Sequence, residues 1–70
     1  MQGKNFLTKR EREIFNLLVL NMDTVDIAEK LCISTKTVRN HISNVIQKLG
    51  VSSRSQAIIE LLKVKEVSLF

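Results

Sequence analysis

Seventy residues with one cysteine and no proline allow a single small domain that no intrachain disulfide can staple. Apolar runs never exceed four residues, too short for a membrane span, and Lys4, Lys9 and the charged stretch 9–13 break any signal peptide. The formal net charge of +4 points to a polyanion, while three phenylalanines as the only aromatics leave no base-stacking platform of the RNA-binding kind.

Residues 1–5 read as a flexible arm and residues 6–70 as one domain. Thr8 followed three residues later by Glu11 is a capping box, in which each side chain satisfies a free backbone N–H. Leu7 precedes it, and Ile14, Leu17 and Leu18 recur on one face, giving a first helix over about Lys9–Leu20. Asn21, which tolerates the left-handed conformation, is its expected stop. Asp23 with Asp26 opens a short second helix that turns Ile27, Ala28 and Leu31 inward and ends near Leu31. Cys32 and Ile33 make the next turn, with Ile33 plugging the core. Cys32, alone and so suited to a reducing cytosol, is expected as a small buried apolar side chain. Ser34 caps a third helix whose stripe is Val38, Ile42, Val45, Ile46 and Leu49, and Gly50 stops it. Ser53 with Gln56 repeats the capping-box pattern and opens a fourth helix through Ala57, Ile58, Leu61 and Leu62. The fold class is therefore all-α, a compact four-helix domain with the second and third helices forming a helix-turn-helix.

Charge is distributed unevenly over these elements. Between Glu29 and Glu60 there is no acidic residue, yet Lys30, Lys36, Arg39, Lys48 and Arg54 fall there. The rest of the chain holds six basic and all seven acidic residues, so the excess of positive charge belongs to one segment. A solvated charged face would account for the charge alone. The apolar stripe and the polar start of the third helix favour a nucleic-acid reader instead. At about 100° per residue, its apolar side opposes Lys36, Asn40, Ser43, Asn44 and Gln47. Arg39 lies on one flank and Thr37, His41 and Lys48 on the other. Lys, Arg and Asn suit base edges in the major groove, and N-terminal residues of such a helix reach deepest. The expected base readers are Lys36, Arg39, Asn40 and Ser43. Thr35, Thr37, His41, Lys48, Ser53 and Arg54, at edges and helix starts, suit phosphates.

The run Leu7-Thr8, Arg10-Glu11, Glu13-Ile14, then Ile27-Ala28, Leu31, Ile33-Ser34, Thr37-Val38-Arg39, His41, and finally Asn44 and Lys48-Leu49 resembles the LuxR/FixJ/GerE-type DNA-binding domain. The resemblance covers about Phe6 to Lys63. It implies a helix-turn-helix reading duplex DNA, a homodimer through the fourth helix, and contact with RNA polymerase by an activator. Seventy residues leave no room for a receiver or sensor domain, so the chain resembles the stand-alone, GerE-like members that regulate late sporulation and spore-coat genes. Asn21 and Lys65 stand where members often carry glycine, and Lys65 is expected to let the fourth helix run on toward Val67. Arg39 stands where lysine is frequent, and Ser43 where basic or polar residues are, so the target sequence does not carry over.

Apolar positions of the fourth helix span about 220° of its wheel, whereas one-sided packing needs about 100°. The excess, chiefly Ile58, Ile59 and Leu62 with Leu69 and Phe70, is the expected dimer surface. Glu11 lies about 60° from Ile14 and is expected to be tied down by a cation such as Arg54, or by backbone donors. A lone His41 without other ligands beside it argues against a metal site. No nucleophile-plus-base pair, metal spacing or glycine-rich phosphate loop is present, so neither an enzyme nor any cofactor or small-molecule ligand is expected. The competing binding module is a monomeric, polymerase-associated promoter reader resembling a sigma-factor region.

Overall fold

Four short polar side chains set where the helices begin. The computed structural model describes residues 7–64 and Val67, and among these it has α1 (Lys9–Val19), α2 (Thr24–Leu31), α3 (Thr35–Leu49) and α4 (Arg54–Lys63), with no strand. Thr8, Asp23, Ser34 and Ser53 each accept the N–H three residues on, at 3.1, 2.9, 3.0 and 3.2 Å. These bonds satisfy amides that have no partner inside the helix. The capping box at α1 is complete, because Glu11 Oε1 accepts the Thr8 N–H at 3.0 Å. The one expected at α4 is displaced. Gln56 Oε1 accepts from the N–H and hydroxyl of Ser52 at 3.0 and 2.9 Å, a site offering two donors where the Ser53 backbone offers one.

Three left-handed residues end or follow helices: Asn21 at φ 69°, Cys32 at φ 60° and Gly50 at φ 69°. Asn21 and Gly50 match their expected roles. Cys32 is the C-cap of α2, its N–H directed at the Ala28 and Glu29 carbonyls, and its thiol is exposed. The expectation of a buried thiol fails because a cap residue in this conformation leaves the helix with its side chain outside the angle between α2 and α3. Ile33, next along, packs against the core, and its N–H reaches the Ala28 carbonyl at 3.0 Å.

Leu7, Ile14, Phe15, Leu18, Ile27, Ala28, Val38, Ile42, Val45, Ala57, Leu61 and Val67 form one buried cluster. α3 packs against α1, α2 and α4, so the helix that carries the polar face is also the centre of the fold. α4 ends at Lys63 with Val64 as its cap, and does not run on toward Val67. On a continued helix Val67 would lie about 60° from Val64, which is 62% exposed. Leaving the helix instead brings Val67 into the core at 4% exposure. The proposed arm at 1–5, Lys65, and the apolar Leu69 and Phe70 lie outside the described residues.

Candidate nucleic-acid interface

Ala28, with only a methyl side chain, lies buried where α2 and α3 meet, and Ile27, Val38 and Ile42 fill the angle between the helices. α3 thereby buries Val38, Ile42 and Val45 inward, with Ile46 and Leu49 partly covered. Its opposite side presents Lys36, Arg39, Asn40, Ser43, Asn44 and Gln47, all exposed. The four expected base readers thus share one solvent-facing surface, and Asn44 and Gln47 extend it by a turn.

The phosphate candidates separate into groups. Thr35 and Thr37 are half-buried in the first turn of α3, and Thr37 Oγ1 lies 2.9 Å from Ser34 Oγ. His41 is half-buried on the flank. Ser53 and Arg54 are exposed at the start of α4, beyond the other end of α3. Thr35 and Thr37 thus sit at the start of α3, and Ser53 and Arg54 at the start of α4. α3 and α4 have no acidic residue in their first turns, whereas α1 has Glu11 and α2 has Asp26. Their positive N-terminal dipoles are therefore left for an external anion.

Lys30, Lys36, Arg39 and Arg54 are exposed and form no ion pair among the described residues. Lys48 differs from them. Its ammonium lies 2.6 Å from Glu11 Oε1, where the carboxylate side chain is 5% exposed. Glu11 is thus braced as expected, but by Lys48 and the Thr8 N–H, not by Arg54. Arg54 leads α4 outward, while Lys48 emerges from the last turn of α3 beside α1. A sequence signal for this existed. Lys48 lies about 60° from buried Val45, the same offset that separates Glu11 from Ile14.

On α4, Ile59 is 53% exposed, whereas Ile58 and Leu62 are partly buried against the core. Ile59 borders an open cleft of about 400 Å³ shared with Gly50, Val51, Ser52, Gln56 and Glu60. Among the described residues no group of three or more His, Cys, Asp or Glu is placed to hold a metal ion, and no helix is long and apolar enough to cross a membrane.

A family model described as "Bacterial regulatory proteins, luxR family" matches residues 5–61. The chain is 62% identical over 68 residues to the spore germination protein GerE of Bacillus subtilis (strain 168), spanning 97% of this chain and 92% of that protein. It is 44% identical over 59 residues to the transcriptional regulatory protein DegU of Brevibacillus brevis, covering 84% of this chain but 25% of that longer protein. The solved structure of the transcription factor GerE matches it with a TM-score of 0.92 at 66% identity, over 96% of this chain and 100% of that one.

Proposed function

The chain belongs to the luxR family of bacterial regulatory proteins and is a DNA-binding transcriptional regulator, and on that premise we propose that it acts as a homodimer on paired half-sites. The observation that carries the DNA-reading part is the two-sided α3, apolar where it meets every other helix and polar where it meets solvent. Exposed Ile59 on α4 supports the dimer. Long-range charge draws the domain to DNA, and counterion release supplies sequence-independent affinity. Thr35, Thr37, His41, Ser53 and Arg54 contact phosphates and set the register. Lys36 and Arg39 donate to guanine, Asn40 pairs with adenine, and Ser43 serves either base. Ile59, with the outer edges of Ile58 and Leu62, meets its own copy across a two-fold axis and doubles the reading head.

Likeness to GerE over nearly the whole chain supports a role in regulating sporulation genes in the cytoplasm. Activation through contact with RNA polymerase at a promoter belongs to the same proposal. The test is selection of bound sites from random duplex DNA at near-physiological salt with nonspecific competitor. Paired half-sites one helical turn apart, or a regular multiple, are the expected result. A single unpaired motif would favour a monomeric, polymerase-docked promoter reader, for which exposed Ile59 would be a docking point on another protein.

A further inference from the structure

We infer that Lys48 is a positioning residue of DNA reading and not a phosphate contact, because its ammonium locks the far half of α3 onto the buried Glu11 carboxylate at the start of α1. One oxygen, Glu11 Oε1, accepts both the Thr8 N–H at 3.0 Å and Lys48 Nζ at 2.6 Å. The cap of α1 and the last turn of α3 are therefore joined at a single atom, between residues 37 apart in sequence.

Two physical arguments set the role. Lys48 could serve a phosphate only with the N–H donors left over from Glu11, because swinging away would strip the cation from a carboxylate that is almost wholly out of solvent. Leaving such a charge uncompensated costs far more than an exposed phosphate contact returns. The pair also carries no net charge, so it adds nothing to counterion release, unlike the unpaired Lys36, Arg39 and Arg54. What the pair does control is rotation of α3 about its own axis. Turning the helix by about 20° would move side-chain tips about 6 Å from its axis by about 2 Å, beyond what a base-edge hydrogen bond tolerates. Ser43, Asn44 and Gln47 lie on the turns nearest the lock and depend on it most.

The inference rests on α3 being the reading helix, and Arg39→Met in the same assay tests that premise separately. Binding would be measured against salt on a random-sequence duplex and on a duplex recovered by selection, with folding checked by cooperative melting. Arg54→Met should lower the slope of log K against log salt by about 0.9. Of Lys48→Met and the pair Glu11→Gln with Lys48→Met, the pair, which keeps the net charge of the wild type, should leave the slope at the wild-type value. Both should lose about tenfold in discrimination between the two duplexes, and Lys48→Arg should retain it. The double variant keeps the Thr8 N–H satisfied and leaves no buried charge, so it folds even where Lys48→Met alone does not. A slope lowered by about 0.9 in the folded double variant would make Lys48 a phosphate contact and overturn the inference. Unchanged discrimination in the folded double variant would overturn it too, leaving the pair a stabilising contact only. If Arg39→Met also kept full discrimination, the reading role of α3 would fail instead.

Discussion

Opposing effects meet on the Glu11 carboxyl. Burial pushes its pKa up, but the hydrogen bond from Lys48, the Thr8 N–H and the charge of Lys48 together hold it below its ordinary value of 4.5. A carboxyl whose pKa is lower folded than unfolded stabilises the fold fully above the unfolded value, and that stabilisation drains as pH falls through the folded one. Melting temperature of the wild type should therefore fall below pH 4.5 more steeply than that of Glu11→Gln. Parallel curves would sink the assignment. Glu11→Ala, which also deletes half of the capping box, should cost about 2 kcal/mol in denaturant unfolding. At the reading surface, Lys36→Ala or Arg39→Ala should cost about 1–3 kcal/mol on the selected site and relax preference at one base pair. An Arg39 variant that weakened all sequences equally would move that residue to the phosphates. Burial of Glu11 was legible because its wheel offset is a local property. Its cation was legible only in part: a wheel offset puts Lys48 at the edge of the buried side of α3, but which flank of α3 meets α1 depends on how two helices cross.

The helices themselves were legible for a local reason. Each start is a side chain bonding to an amide three residues on, and each apolar stripe follows the helical period. Their ends depended more on tertiary context. Asn21 and Gly50 announce left-handed stops by residue type, but Cys32 adopts the same conformation with no such signature. α4 ends at Lys63 and Val67 lies buried beyond it, and a single residue has no periodicity to betray its burial. These caps make separate predictions. A Cβ at Gly50 would meet nothing within 4 Å, so the cost of Gly50→Ala is conformational, about 1 kcal/mol, with Gly50→Asn milder. Cys32→Gly should be neutral or slightly stabilising, since the thiol is exposed and glycine accepts positive φ freely. A large loss of stability in Cys32→Gly would mean that the thiol is packed after all.

For the molecule as a whole, charge and surface divide the labour. The acid-free stretch identified in the sequence includes all of α3, and its unpaired cations remain exposed. The broad apolar surface expected of α4 resolves into two kinds of residue, exposed Ile59 and the partly covered Ile58 and Leu62. Helical periodicity could not separate them, because how far Ile58 and Leu62 are covered depends on what packs against α4. Ile59→Asp should keep the melting temperature of a dilute sample, shift sedimentation to the monomer, and abolish preference for paired sites. Leu62→Asp should instead destabilise the fold by about 2–3 kcal/mol. Dimers persisting in Ile59→Asp would place self-association elsewhere. Finally, α3 buries one side against all three neighbours and leaves Lys36, Arg39, Asn40, Ser43, Asn44 and Gln47 with solvent on the other. With these six as the proposed reading surface, mutations there should alter what is recognised while leaving the packing intact. Descendants of one such domain can therefore drift to new genomic addresses through stable intermediates, without first losing and regaining a folded chain.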